Sequence, residues 1–196
     1  MARIELRITG FGGQGVVLSA YIIGNACAIR AGKHATMIQS FGPEARGSSC
    51  SATLVIEDDE VLYPYIRRPS YLVALSSEGY DKYRDELAAD GTLVYEEDLV
   101  HPEIGEGQRG FGVPSTRIAE ELGRVIVQNI VMLGFFAGVS GIVARDEMRQ
   151  AVEASVPAGT TELNLKAYHA GLDYFDEHYG NSKKGTEEKS GALPGK

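Results

Sequence analysis

Residues 3–30, RIELRITGFGGQGVVLSAYIIGNACAIR, hold a strand, a glycine turn and a helix in immediate succession. Arg3 to Thr9 alternates, with Ile4, Leu6 and Ile8 on one side, which predicts a strand at the start of the chain. Val16 to Arg30 is apolar nearly all round and predicts a buried helix, with Gly32 as its stop. Between them Gly10, Gly12 and Gly15 match G-x-G-x-x-G in the context that pattern requires. The first glycine permits the tight turn, the second lets a phosphate come close, and the third allows close helix packing. Backbone N–H groups at the helix start then face an anion. The extra Gly13 leaves Gln14 as the one polar side chain available to a ligand. A tight turn that binds nothing has the same sequence, and the glycines alone leave both readings open.

Working outward, a dinucleotide site needs an acidic residue after the second strand to hold a ribose hydroxyl. His34 to Gln39 is that strand, and its surroundings, RAGKHATMIQS, contain no acid between Arg30 and Ser40. Arg30, Lys33 and His34 stand before the strand or at its first position rather than after it. The turn is therefore a phosphate loop without the NAD clamp.

Further along, Ser40 to Ser49 has loop composition, and Ser51–Glu57 with Val61–Tyr63 predicts a hairpin around Glu57-Asp58-Asp59-Glu60. Tyr71 to Leu75 and Thr92 to Tyr95 predict strands, with a polar helix over Ser77 to Ala89. Glu97 to Pro114, rich in acids, glycine and proline, predicts a long loop. Helices follow over Thr116–Leu122, Ile126–Val139 and Asp146–Ala154, and Thr160 is placed to cap a last one with the stripe Leu165, Tyr168, Leu172 and Phe175. Residues 1–180 are expected to form one domain and 181–196, polar and free of aromatics, a disordered tail. Strands alternating with helices make the class α/β.

Composition narrows the function. The 196 residues carry 27 acidic and 19 basic side chains, a net charge of −8 that disfavours a nucleic-acid partner. Hydrophobic residues at 43% and charged residues at 23% are ordinary for a soluble protein, whereas the 24 glycines exceed the usual share. Cys27 and Cys50, the only cysteines, cannot ligate an iron–sulfur cluster or close a zinc site, and they fit a reducing, cytoplasmic setting. No signal-peptide core is visible, and the longest apolar run, Ile130 to Val139, is too short to span a bilayer. His34, His101, His169 and His178 share no metal-ligand spacing, and Tyr63, Tyr65, Tyr71, Tyr80 and Tyr83 read as core or subunit interface.

A second loop, QSFGPEARGSS over residues 39–49, leaves the end of the second strand and so faces the ligand crevice. Arg46 offers a planar fork for carboxylate or phosphate, and Ser40, Ser48 and Ser49 offer hydroxyls; a surface Glu44–Arg46 pair is the plainer alternative. Together, GFGGQGVVLSA, QSFGPEARGSSCSATLVI and YLVALSSEGYDKY, with NIVMLGFFAG and LNLKAYHAG later, resemble the γ subunit of the 2-oxoacid:ferredoxin oxidoreductases, most closely the 2-oxoglutarate type. The resemblance runs from about Ile4 to Phe175. One departure is that Gly47 is followed by Ser48 where the family usually has a second glycine.

The resemblance implies a three-layer, Rossmann-like domain with a central, mostly parallel sheet and helices on both faces, like domain III of pyruvate:ferredoxin oxidoreductase. It implies a complex that converts a 2-oxoacid, coenzyme A and oxidised ferredoxin to acyl-CoA, CO2 and reduced ferredoxin. Thiamine diphosphate and Mg2+ would lie between α and β subunits, and [4Fe–4S] clusters in β or a δ subunit. This chain has no nucleophile or metal–diphosphate signature of its own. Its implied task is to hold coenzyme A against the thiamine site, with Gly10, Gly12, Gly13, Gln14 and Gly15 on the phosphate and Ser40, Arg46 and Gly47 completing the pocket. A free-standing nucleotide- or flavin-binding oxidoreductase and a purely structural subunit are the alternatives.

Overall fold

Strand β1 (Ile4–Phe11) runs two residues beyond the sequence alternation and carries Gly10 within it. The computed structural model describes residues 3–41 and 49–180. Helix α1 (Val16–Asn25) follows the glycine turn and continues into a π-helical turn over Ala26–Arg30, closed by Ala31 N–H to the Ala26 carbonyl at 3.0 Å. The chain then forms β2 (His34–Phe41), β3 (Ser49–Glu57), β4 (Tyr71–Ala74), α2 (Ser77–Tyr83), β5 (Thr92–Glu96), β6 (Arg109–Val113), α3 (Ser115–Glu121), α4 (Gln128–Ser140), α5 (Arg145–Ser155) and α6 (Thr161–Tyr179).

The six strands make one sheet in the order β2-β3-β1-β4-β5-β6. β1, β4, β5 and β6 are mutually parallel, while β3 runs antiparallel between β2 and β1. Period-two alternation gives the sheet two buried faces. On one, Leu6 and Ile8 of β1, Leu54 and Ile56 of β3 and Val73 of β4 pack under α1 and α4; α5 joins them, and α6 lies against α4. On the other, Leu72, Ala74 and Leu93 pack against Tyr80 and Tyr83 of α2. The helices after β1 and β4 therefore lie on opposite faces of two adjacent strands. That is the topological switch point of an open α/β sheet, where the crevice beyond the strand ends receives ligands.

Three expectations are corrected. Val61–Tyr63 forms no strand; β3 pairs with β2 and β1 instead, His34 opposite Glu57 and Ile4 opposite Ile56. The segment after β3 is tied down by charge: Arg3 donates to the carbonyls of Tyr63 and Tyr65 at 2.8 Å, and Glu5 accepts from the amides of Arg67 and Arg68 at 2.7 and 3.0 Å. Second, the stretch Glu97–Pro114 contains β6. Its Gly110 and Gly112 lie against Ile104 and the Tyr95 ring, where side chains would collide. Third, Thr160 precedes α6 but caps nothing; its hydroxyl donates to the Pro157 carbonyl at 2.8 Å. The expected tail, 181–196, lies outside the described residues.

Candidate functional site

The glycine turn sits at the carboxyl end of β1. Gly12 and Gly13 make the turn, closed by Gln14 N–H to the Phe11 carbonyl at 3.1 Å, and Gly15 starts α1. Gly13 (φ 103°) and Gly15 (φ 76°) are in the left-handed region that other residues rarely adopt. Space around the position of a Gly13 Cβ is open, so this part of the turn is accessible. Gly15 bears no side chain to cap α1, so the first-turn amides of the helix face the turn without a side-chain acceptor. An oriented set of N–H donors at a helix start is what binds phosphate.

The other glycines serve close packing. A Cβ on Gly10 would stand 2.6 Å from the Gln14 side-chain Oε1 and 3.0 Å from Leu75 Cβ; one on Gly15 would stand 2.5 Å from the Asn129 side chain. Asn129, buried at the start of α4, donates to Ser19 of α1 at 3.4 Å. The Gln14 amide is committed inward: Oε1 accepts from Phe11 N–H at 2.7 Å and Nε2 donates to the Leu75 carbonyl at 3.1 Å. It thereby ties the end of β1 to the residue after β4. Sequence alone makes Gln14 the polar side chain facing a ligand; the structure makes it the brace that shapes the turn.

A polar seam continues along the strand ends. Glu96, at the end of β5 and 1% exposed, accepts from the Ser115 hydroxyl, from Thr116 N–H at 2.9 Å and from Thr116 Oγ1 at 3.1 Å. The Thr116 hydroxyl also contacts the Gln128 side chain at 2.7 Å, next in sequence to Asn129. Sequence reasoning missed this seam because its partners are 12 to 20 residues apart and lie on different elements. A Gln-Asn pair opening an otherwise apolar helix was its only signal.

Ser40, the last residue but one of β2, pairs with Ser51 of β3, so it is two strands, about 10 Å, from β1. It lines a cavity of about 200 Å3 with Arg7, Ile38, Ser51, Thr53 and Tyr65 on the sheet face opposite α1. There the Arg7 guanidinium stacks over the Tyr83 ring at 4.0 Å and pairs with Glu86 at 2.7 Å. Arg46 and Gly47 lie outside the described residues. The ends of their loop are nonetheless fixed: Phe41 pairs with Cys50, and Ser49 pairs with Phe11 at the glycine turn. Cys27 and Cys50 are buried, and burial pushes the Cys27 thiol up to about 12. Tyr80 and Tyr83 are core, whereas Tyr63 and Tyr65 are exposed and pack ring to ring at 5.6 Å. Among the described residues no helix is long and apolar enough to cross a membrane.

A mixed, mainly parallel sheet with a phosphate-type turn at its switch point defines a Rossmann-like α/β domain. The chain belongs to the family described as pyruvate ferredoxin/flavodoxin oxidoreductase, whose model matches residues 5–174. It is 42% identical to the 2-oxoglutarate synthase subunit KorC of Methanocaldococcus jannaschii, covering 89% of this chain and 95% of that one. The γ subunit of a keto/oxoacid ferredoxin oxidoreductase from Geobacter sulfurreducens is 34% identical, with a TM-score of 0.76 over 87% of this chain and 96% of that one. A 2-oxoglutarate:ferredoxin oxidoreductase from Magnetococcus marinus has the same fold, with a TM-score of 0.80 at 21% identity; this chain spans 31% of it. The chain is thus a γ-type subunit of a 2-oxoacid:ferredoxin oxidoreductase, of the 2-oxoglutarate synthase type.

Proposed function

We propose that this chain holds coenzyme A within a complex of α and β subunits, and a δ subunit where there is one, that oxidises 2-oxoglutarate to succinyl-CoA and CO2 and passes the electrons to ferredoxin. Thiamine diphosphate, Mg2+ and the [4Fe–4S] clusters belong to the partner chains in this reading, and the γ chain supports the thiamine site from outside. The observation that carries the role of this chain is the uncapped start of α1 behind an open Gly13, together with the absence of an acid between Arg30 and Ser40, where a dinucleotide site needs one. The amides of Gly12 to Gly15 and the first turn of α1 take a phosphate of coenzyme A. Gln14 holds the turn in shape from behind, and Ser40, Arg46 and Gly47 complete the pocket from the second loop.

The test uses the assembled complex. Tagged chain is purified anaerobically from its native cells, its partners are identified, and viologen reduction is followed with 2-oxoglutarate and coenzyme A. Gly12→Asp sets a carboxylate against the phosphate and should raise the coenzyme A KM at least tenfold, while the partners still co-purify. Arg46→Ala should act in the same direction. An unchanged KM in both variants rejects the assignment.

A second reading, a subunit that orders its neighbours and binds no small molecule, draws on the inward Gln14 amide and the packing of Asn129 on Gly15. Calorimetric titration of coenzyme A into the chain and into the complex separates the two. The free-standing oxidoreductase is disfavoured by the family membership.

A further inference from the structure

The segment between β3 and β4 reads VLYPYIRR over residues 61–68 and forms no strand or helix. Leu62 is 86% exposed, Tyr65 58% and Tyr63 48%, three large side chains within four positions. Exposed apolar residues standing singly are ordinary, whereas a cluster marks a contact surface. This one is shaped from beneath. Arg3 donates to the Tyr63 and Tyr65 carbonyls and pairs with Glu57 at 2.7 Å, and buried Glu5 accepts from the Arg67 and Arg68 amides. Above them the Tyr63 and Tyr65 rings pack together, and the Arg67 guanidinium lies over the Tyr63 ring at 5.3 Å. A loop already held in one shape loses little freedom when it docks.

The charges on the segment select what docks there. Arg67 and Arg68 are exposed, and neither forms an ion pair with a described residue. The carboxylates beneath and before them are engaged, Glu5 and Glu57 on Arg3 and Asp58 on Lys33. Asp59 and Glu60 are exposed ahead of the segment, so an acidic partner is drawn to the arginine end and turned away from the other. Tyr and Arg are also the residues that carry most of the energy where protein surfaces meet. The anchors Arg3 and Glu5 stand at the start of β1, about 20 Å along the strand from the glycine turn, so this surface is separate from the crevice.

We propose that residues 62–68 dock an acidic surface of another subunit of the oxidoreductase, its carboxylates on Arg67 and Arg68 and its apolar side chains on Leu62, Tyr63 and Tyr65. The proposal rests on the reading of this chain as one part of a multi-subunit complex, and not on where coenzyme A binds.

To test it, tagged chain is purified anaerobically from its native cells at a series of salt concentrations, and the α and β chains that come with it are quantified by mass spectrometry. The double variant Arg67→Glu/Arg68→Glu should lower their recovery about tenfold or more at low salt, and recovery with the parent should itself fall as salt rises. Arg67→Lys/Arg68→Lys keeps the charge and should retain most of the recovery. Leu62→Asp, changed at a side chain the fold leaves in solvent, should lose recovery too, with the Tm of the free chain unmoved in every variant. Recovery that is equal for the parent, the charge reversal and Leu62→Asp overturns the proposal. So does a free chain that dimerises and is returned to monomer by the charge reversal, since the occupant is then a second copy. If the parent recovers no α or β chain, the multi-subunit reading and the docking surface fall together; if the parent and the variants all recover them, only the surface is wrong.

Discussion

Gly15 carries two constraints at once: a positive φ of 76° and the Asn129 side chain 2.5 Å from where a Cβ would be. Gly15→Ala should therefore cost about 2 kcal/mol and lower Tm by about 5 °C, measured by thermal unfolding. Gln14→Ala removes the brace between Phe11 and Leu75 and exposes the turn to distortion, so it should weaken coenzyme A binding in the complex with a smaller loss of stability. Glu5 supplies a pH-dependent case. Burial works to raise its pKa, but the Arg3 guanidinium and the amides of Arg67 and Arg68 outweigh it and hold the carboxyl below its ordinary value. A depressed folded-state pKa means stability that is fully present above the ordinary carboxylate value and lost as pH falls through the folded value. Glu5→Gln should cost about 2 kcal/mol at neutral pH, and its deficit against the parent should shrink below about pH 4.5 in denaturant titrations. Neither the Gln14 brace nor the Asn129 contact was legible in the sequence. Leu75 lies 61 positions from Gln14, and Ser19 lies 110 from Asn129.

Among the elements, β1, the glycine turn and α1 were legible because their signals are local: alternation, three spaced glycines, then an unbroken apolar run. The two strand errors share the opposite cause. β3 finds its partners across the β2 connection and in β1, so a reading from neighbouring residues paired it with Val61–Tyr63 instead. β6 has glycine at two of five positions because the Tyr95 ring and Ile104 lie across it, and a strand shaped by its neighbours' bulk shows no propensity of its own. α4 and α6 show a third pattern. Their contact runs through Gly134 and Gly171, where a Cβ would meet the Tyr168 and Val131 carbonyls respectively. Backbone cannot yield as a flexible side chain does, so Gly171→Ala should destabilise by about 3 kcal/mol or more, read as loss of folded protein or a lower denaturant midpoint. The Tyr168 hydroxyl beside this crossing donates to the Arg145 carbonyl at 2.8 Å, and burial pushes its pKa up to about 12, so it stays a donor throughout the working pH range.

At the scale of the whole molecule, the two thiols report on how the fold opens. Cys27 is fully buried in the π-helical turn that continues α1, and Cys50 is 5% exposed where β3 begins. Native protein should react slowly with an alkylating reagent, Cys50 before Cys27, and the Cys27 rate should follow global stability across the variants above. Mass-spectrometric timing of each modification checks the order. The family and its class were legible because two glycine-bearing loops stand at a characteristic separation. The strand order was not, since β3 inserts between β2 and β1 rather than pairing with the segment that follows it. β2 runs in the direction of β1 and brings the chain to the end of the sheet where β1 finishes, and β3 sets out from there, so the connection after Phe41 starts one strand farther out and rejoins the sheet at Ser49, beside the glycine turn. A hairpin connection can gain or lose residues while the ladder on either side keeps its register. A few codons at this one connection thus set what meets the crevice, while the paired strands on either side keep their partners.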